Sequence, residues 1–325
     1  MSNNKAPAPE SASANSESYQ VPGRTIGFVI MSILIAFVAV FMRLQSQNMD
    51  STEFESVYSG ELQGFDADRW YLPDDELLGF VAIPAGSFTM GSNPALDRMA
   101  YENERWSRTQ RQGQPLLPLY YIAKFETTRA QFAEFVEATG QAEQAFEEEG
   151  SLAGDLPITN INWPEALAYT RWLDQQLRNS PDTPDEIKAF LESGAKVTLP
   201  NEAEWEKAAR SDDGRVFTWS SRPQNGLANF SNDELVAVGS IQCDTCSYGL
   251  SDMAGNAWEL TRSLLKDYPF SDDLDRENLN PEPLYVMRGG SFSDEMNHVR
   301  TAVRGIFDPG AKSETVGFRV VISAQ

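Results

Sequence analysis

The chain has 325 residues, with 26 Lys and Arg against 48 Asp and Glu, a formal net charge of −22. So acidic a balance excludes a nucleic-acid groove, because phosphate binding needs a basic stripe to displace counterions. Hydrophobic residues at 41% and aromatics at 11% exclude disorder for the bulk of the chain and suffice for one substantial core. The single histidine, His298, rules out sites built from two or three imidazoles of one chain, which removes most catalytic zinc, non-haem iron and type-2 copper arrangements. Cys243 and Cys246 are the only thiols, and neither a nucleophile-elbow nor a phosphate-loop pattern occurs.

Residues 1–23 are rich in Ser, Ala, Asn, Pro and Glu and read as a disordered tail. Residues 25–42 follow without a charge, bracketed by Arg24 and Arg43. At about 1.5 Å per residue they span roughly 27 Å, enough for one membrane crossing. A cleaved signal peptide is the competing reading, but the preceding tail is long and barely basic, and Phe37 stands where cleavage after Ala39 needs a small residue. The segment is therefore read as an uncleaved signal anchor. The flanking arginines balance, so the positive-inside rule leaves the orientation open. The strongly acidic remainder is ill suited to an anionic cytoplasmic leaflet, which places it outside the cytoplasm, on the periplasmic side of the inner membrane in a bacterium.

Residues 44–78 read as an acidic stalk whose scattered aromatics Phe54, Tyr58, Phe65, Trp70 and Tyr71 pack partly against a domain over 79–325, with a plain spacer as the alternative. From Phe80 onward, short apolar runs alternate with Gly and Pro too quickly for a helical bundle or a doubly wound sheet. Three helices stand out. Thr128 and Gln131 have capping-box spacing ahead of the apolar face Phe132, Phe135 and Val136, with Gly140 as the stop. Asn162 caps a second helix that tolerates Pro164 in its first turn. Asn201 and Glu204 cap a third, with Trp205 and Ala208 facing inward and its glutamates read as caps rather than catalytic acids. Cys243-x-x-Cys246 reads first as a short-loop disulfide, with unpaired thiols or a metal or redox pair as the alternatives. His298 reads as a surface or hydrogen-bonded histidine, since no second imidazole stands by it.

Seven blocks then occur in a telling order: FVAIPAGSFTMGS at 80–92, YYIAKFETTRAQFAEFVEATG at 120–140, PITNINWPEALAYTRWL, VTLPNEAEWEKAAR, GLSDMAGNAWEL, MRGGSF and VGFRVV. Together they resemble the formylglycine-generating enzyme, or sulfatase-modifying factor, family across residues 80–322. The resemblance implies an α+β fold, a C-type-lectin-like domain with little regular secondary structure, here preceded by one transmembrane helix. The stretches at 180–194 and 143–150 depart from the family pattern, the first as an added surface helix and the second as a solvated acidic loop.

In the family, two cysteines bind Cu(I) and activate oxygen to convert a substrate cysteine to formylglycine. The resemblance places Met296 and Thr301 at those positions. A hydroxyl is a hard ligand and a thioether a weak one, so no copper cofactor is expected and the family oxidation should fail. Trp258 and Ser291 match residues lining the family's oxygen and substrate pocket, with core packing and turn bonding as their ordinary roles. The resemblance further implies structural calcium, held by the side chains of Asp252 and Glu259 and the carbonyls of Gly255 and Ala257. A second set would use Asn229 and the carbonyl of Phe230, with Asp233 in a shortened loop, and ordinary Asx turns without metal are the alternative for both. Two functions follow: a membrane-tethered module that binds a protein partner, or a cysteine-independent oxidase resembling the branch of the family implicated in maturation of pyoverdine. A lectin-like receptor rests on fold analogy alone.

Overall fold

The computed structural model describes residues 62–140, 153–270 and 283–324. The expected tail and membrane span, the stalk up to residue 61 and the acidic stretch at 143–150 lie outside them. Among the described residues, no helix is long and apolar enough to cross a membrane.

Two four-stranded sheets carry the domain. The first orders β3 (Phe80–Ile83), β6 (Tyr120–Ala123), β12 (Val321–Ser323) and β7 (Lys196–Thr198), all antiparallel. The second orders β10 (Gly305–Phe307), β9 (Tyr285–Arg288), β8 (Trp258–Leu264) and β11 (Val316–Gly317), with β11 parallel to β8. Two small antiparallel pairs complete the strands: β1 (Phe65–Asp66) with β2 (Leu72–Pro73), and β4 (Gly86–Ser87) with β5 (Leu116–Leu117). The strands are short and the connections long, as the sequence punctuation implies.

All three expected helices form with the expected caps. In α1 (Arg129–Thr139), Thr128 and Gln131 bond reciprocally, and Gly140 closes the helix in the left-handed region at φ 64°. In α2 (Trp163–Asn179), Asn162 and Glu165 make the same reciprocal pair, with Pro164 in the first turn. The added helix within 180–194 is α3 (Asp185–Glu192), anchored by buried Ile187 and Leu191. One core cluster joins Phe132, Phe135, Tyr169 and Trp172 to Leu260 and Phe318.

The boundary between stalk and domain differs from the sequence expectation. Tyr71, Leu72 and Leu78 are buried, and Trp70 packs edge-on against Trp172. Residues 65–78 thus belong to the folded domain, because their aromatic and aliphatic side chains complete its core.

The helix α4 (Glu202–Arg210) carries the Asn201–Glu204 capping box and buries Trp205 and Ala208, as expected, yet its polar residues are buried too. Glu202 grips Arg304 at 2.8 and 2.9 Å, and Glu204 grips Arg262 at 2.8 Å. Glu206 pairs with Arg288 at 2.7 Å and accepts from the Gly91 N–H at 2.8 Å. From β8, Glu259 receives two bonds from Arg319, at 2.6 and 2.7 Å, and one from Trp205 Nε1 at 2.7 Å. Unpaired charges could not remain in such an interior.

Removing one partner of that pair strands a buried charge. Arg319→Met is expected to cost about 3–5 kcal/mol, and Arg319→Met combined with Glu259→Leu less than the single change. Urea denaturation measures both, and a single-variant cost below about 1 kcal/mol would demote the pair to the level of a surface contact.

Candidate functional site

Thr301, at one of the two positions that the resemblance assigns to the copper cysteines, is buried, and its hydroxyl is fully committed. It lies 3.1 Å from the carbonyls of Arg215 and Val216 and accepts from Arg210 Nε at 3.1 Å. Met296 is half-buried against a cluster formed by Val216, Phe217, Trp219, Ala228, Ala254 and Val299. One side chain serves as a hydrogen-bonding strut and the other as packing, so neither is presented as a metal ligand.

Trp258 and Ser291 are brought together, by a residue that the motif comparison did not single out. Asp294 Oδ2 accepts from Trp258 Nε1 at 2.8 Å, from Ser291 Oγ at 2.6 Å and from the Ser291 N–H at 2.9 Å. The carboxylate thus engages the side-chain donors of both residues that the resemblance assigns to the pocket. The available signal was the spacing of Ser291 and Asp294, which suits a tight turn closed by a carboxylate. The intervening turn follows Gly289 and Gly290, at φ 101° and 76°.

The same turn presents His298. Its Nδ1 lies 3.5 Å from Asp294 Oδ1, and its Nε2 lies 3.3 Å from the hydroxyl of Tyr101. Asn297 Nδ2 donates to that hydroxyl at 2.7 Å. Arg300 stands over the Tyr101 ring, 5.1 Å from its centroid, while pairing with Asp97 at 2.6 Å and Glu104 at 2.8 Å. The histidine is thus both surface-facing and hydrogen-bonded, as expected. Tyr101, nearly 200 residues away in sequence, carries no local signal for its place here.

The first calcium set does not fit the ion in this arrangement. Calcium takes six to eight oxygens, and both oxygens of Glu259 face the Arg319 guanidinium and Trp205. Asp252 turns its carboxylate inward, where Oδ2 accepts from the Gly239 N–H at 2.7 Å. Glu126 accepts from the Ala257 N–H at 2.9 Å and from Asn256 Nδ2 at 2.7 Å. Gly255 serves the turn by its conformation: φ is 74°, and a Cβ there would lie 2.0 Å from the Asn229 carbonyl oxygen.

The second set is similarly occupied. Asn229 Oδ1 accepts from Asn232 at 2.7 Å, and its Nδ2 donates to the Glu234 carbonyl and to Asn256 Oδ1, each at 3.0 Å. Phe230 packs against the cluster around Val216, and Asp233 is exposed. Among the described residues, no group of three or more His, Cys, Asp or Glu side chains converges as metal ligands. The asparagines hold these loops by hydrogen bonds. Cys243 and Cys246 are joined in a disulfide with Cα atoms 5.3 Å apart, so they are neither free thiols nor a metal pair.

Electrostatics at Asp252 give a signed expectation. Burial pushes its carboxyl up to about 6, with the Gly239 N–H and Arg319 opposing the shift. Burial likewise raises Glu126, helped by the charges of Asp252 and Glu259. The folded state therefore holds the Asp252 proton more tightly than the unfolded chain, and its contribution to stability is lost as pH rises from the ordinary carboxylate range through about 6. Asp252→Asn should raise Tm near neutral pH, the gain shrinking toward about pH 4, and millimolar calcium should move neither protein. Melting curves with calcium and with chelator measure this; a calcium-dependent rise in the parent that Asp252→Asn abolishes would restore the metal.

The chain is 25% identical to the hercynine oxygenase of Mycolicibacterium smegmatis, covering 74% of this chain and 60% of that protein. It is 26% identical to the formylglycine-generating enzyme of Bos taurus, covering 74% and 73% of the two chains. It is 27% identical to the inactive C-alpha-formylglycine-generating enzyme 2 of Mus musculus, covering 52% and 50%. The chain thus spans 60% of the first of these relatives and half of the last. The fold is shared with PvdO of Pseudomonas aeruginosa, at a TM-score of 0.57 and 19% identity, covering 75% of this chain and 94% of that one. Residues 72–324 match the sulfatase-modifying factor enzyme 1-like domain, and the chain belongs to that family.

Proposed function

We propose that this chain is a membrane-anchored, extracytoplasmic member of the family that acts by binding a protein partner, without copper-dependent formylglycine chemistry. One observation carries the reading: Thr301, which with Met296 stands where the resemblance assigns the family thiolates, has its hydroxyl committed to Arg210, Arg215 and Val216. Cu(I) prefers soft thiolates, and the chain's only two sulfhydryl residues are spent on a disulfide elsewhere. Asp294 further occupies the donors of Trp258 and Ser291 that would face a substrate. A relative named as inactive among the matches supports a fold that outlives its oxidase chemistry. The apolar segment at 25–42 supports the anchor.

The second reading, a cysteine-independent oxidase, draws support from the relative named hercynine oxygenase, although this chain covers only 60% of that protein. It would require the Asp294 turn to open and expose Trp258 and Ser291.

Incubation of the full chain with a Cys-x-Pro-x-Arg peptide, with and without copper, separates these readings from the family reaction. The expected result is no aldehyde in either case, read by peptide mass. Copper-dependent aldehyde would overturn the proposal, and copper-independent oxidation would favour the second reading. For the anchor, the full chain should fractionate with membranes and a chain lacking residues 25–42 should not; equal partitioning of both would remove the membrane from the proposal.

A further inference from the structure

The second oxygen of Asp294 faces away from Trp258 and Ser291 and begins a chain of three groups with His298 and Tyr101, two residues that neither the oxidase reading nor the binding reading uses. Its order is that of an activated hydroxyl: a carboxylate, an imidazole, then a phenol. The Nδ1 of His298 is buried and has no hydrogen-bond partner among the described residues, and Asp294 Oδ1 lies 3.5 Å from it. A carboxylate in that position favours the tautomer with the proton on Nδ1. Nε2 is then left as an acceptor, 3.3 Å from the Tyr101 hydroxyl. Because Asn297 Nδ2 donates to the same phenolic oxygen at 2.7 Å, the hydroxyl's own proton is directed to the imidazole.

The phenol is also well held. Arg300, fully buried, ties the Tyr101 segment down through Asp97 and Glu104 and stands over the ring. The guanidinium stays fixed over the ring because its partners are buried carboxylates. Tyr101 is 39% exposed, whereas Tyr71, Tyr120, Tyr121, Tyr169, Tyr268 and Tyr285 are buried. Reach and activation therefore coincide at this residue. The groups facing His298 are Asp294 and Tyr101, with Arg300 behind the latter.

We propose that Tyr101 is a nucleophilic tyrosine, activated through His298 and oriented by Asp294, that accepts acyl groups from activated acyl donors. In the step, the phenolic oxygen bonds to the acyl carbon and the bond from that carbon to the leaving group breaks. The phenolic proton passes to His298 Nε2 and from there to the leaving group, with no change of oxidation state. Hydroxyl, base and orienting carboxylate in this relation are the general arrangement of an assisted nucleophile.

N-acetylimidazole tests this on the full chain. Tyr101 lies in the tryptic peptide 99–105, whose mass reports acetylation directly. Its rate should exceed that of N-acetyltyrosinamide by at least about tenfold, and His298→Gln should bring it within about twofold of that reference. Tyr101→Phe should abolish the modified peptide. In the unaltered chain the single histidine gives one imidazole NMR titration, and the acetylation rate should fall with the same midpoint as His298 takes up its proton. A Tyr101 rate no greater than the free amino acid's, an undiminished rate in folded His298→Gln, or a pH profile that ignores the histidine titration would each overturn the proposal.

Discussion

The buried contact between Glu259 and Arg319 fixes how this domain closes. The guanidinium has five N–H donors, and all find acceptors: the two Glu259 oxygens, the carbonyls of Ala123 and Lys124, and the carbonyl of Ser251. One side chain thus joins the end of β6, the turn before β8, β8 itself and the C-terminal segment. Trp205 adds α4 through the same carboxylate. Burying two charges is costly, and the cost is offset only where geometry and every remaining donor are satisfied. Such a contact specifies one arrangement and penalises its neighbours.

The contact is the clearest case of a wider device. A domain with short strands and long connections leaves many backbone carbonyls without a sheet or helix partner, and buried carbonyls need one. Arginines supply it here. Arg288 donates to the carbonyls of Thr301 and Val303, Arg304 to those of Asn103 and Lys266, and Arg210 to those of Thr89 and Gly91. Each also holds or neighbours a buried glutamate of α4, so irregular loops are tied to one helix. The low content of regular structure and the density of buried arginine are two sides of one solution.

This division decides what the sequence reveals. The helices were legible because their caps are local: Thr128 and Gln131, Asn162 and Glu165, and Asn201 and Glu204 each bond across three residues. The polar face of α4 was not, because Glu202 meets Arg304 across 102 residues and Glu206 meets Arg288 across 82. An isolated helix with that pattern looks half exposed. The aromatics of the acidic stretch, Trp70 and Tyr71, were legible as packing partly on the domain, but the full burial of Leu72 and Leu78 was not, because it is decided by the distant core that they join. At the site, family spacing drew attention to Met296 and Thr301, while the residue that touches Trp258 and Ser291 is Asp294. The calcium reading failed to fit at Glu259 for the same reason as α4: Arg319, far along the chain, claims the carboxylate.

The interior also changes the meaning of the net charge. The buried charged side chains of the described residues include seven carboxylates, among them Asp97, Glu104, Glu126 and Glu259, and eight basic groups, mostly arginine. Inside, acid and base nearly cancel. The surplus of acid in a chain of net charge −22 therefore belongs to the half-buried and exposed residues and to the segments outside the described ones. The arginines that would soften an acidic surface have been drawn inward to clamp carbonyls and glutamates. A partner approaching such a surface gains long-range attraction if it is cationic and meets repulsion if it is anionic, within a Debye length of about 8 Å at physiological salt. The same side chains that hold the irregular fold together thereby set the charge that the domain shows to its surroundings.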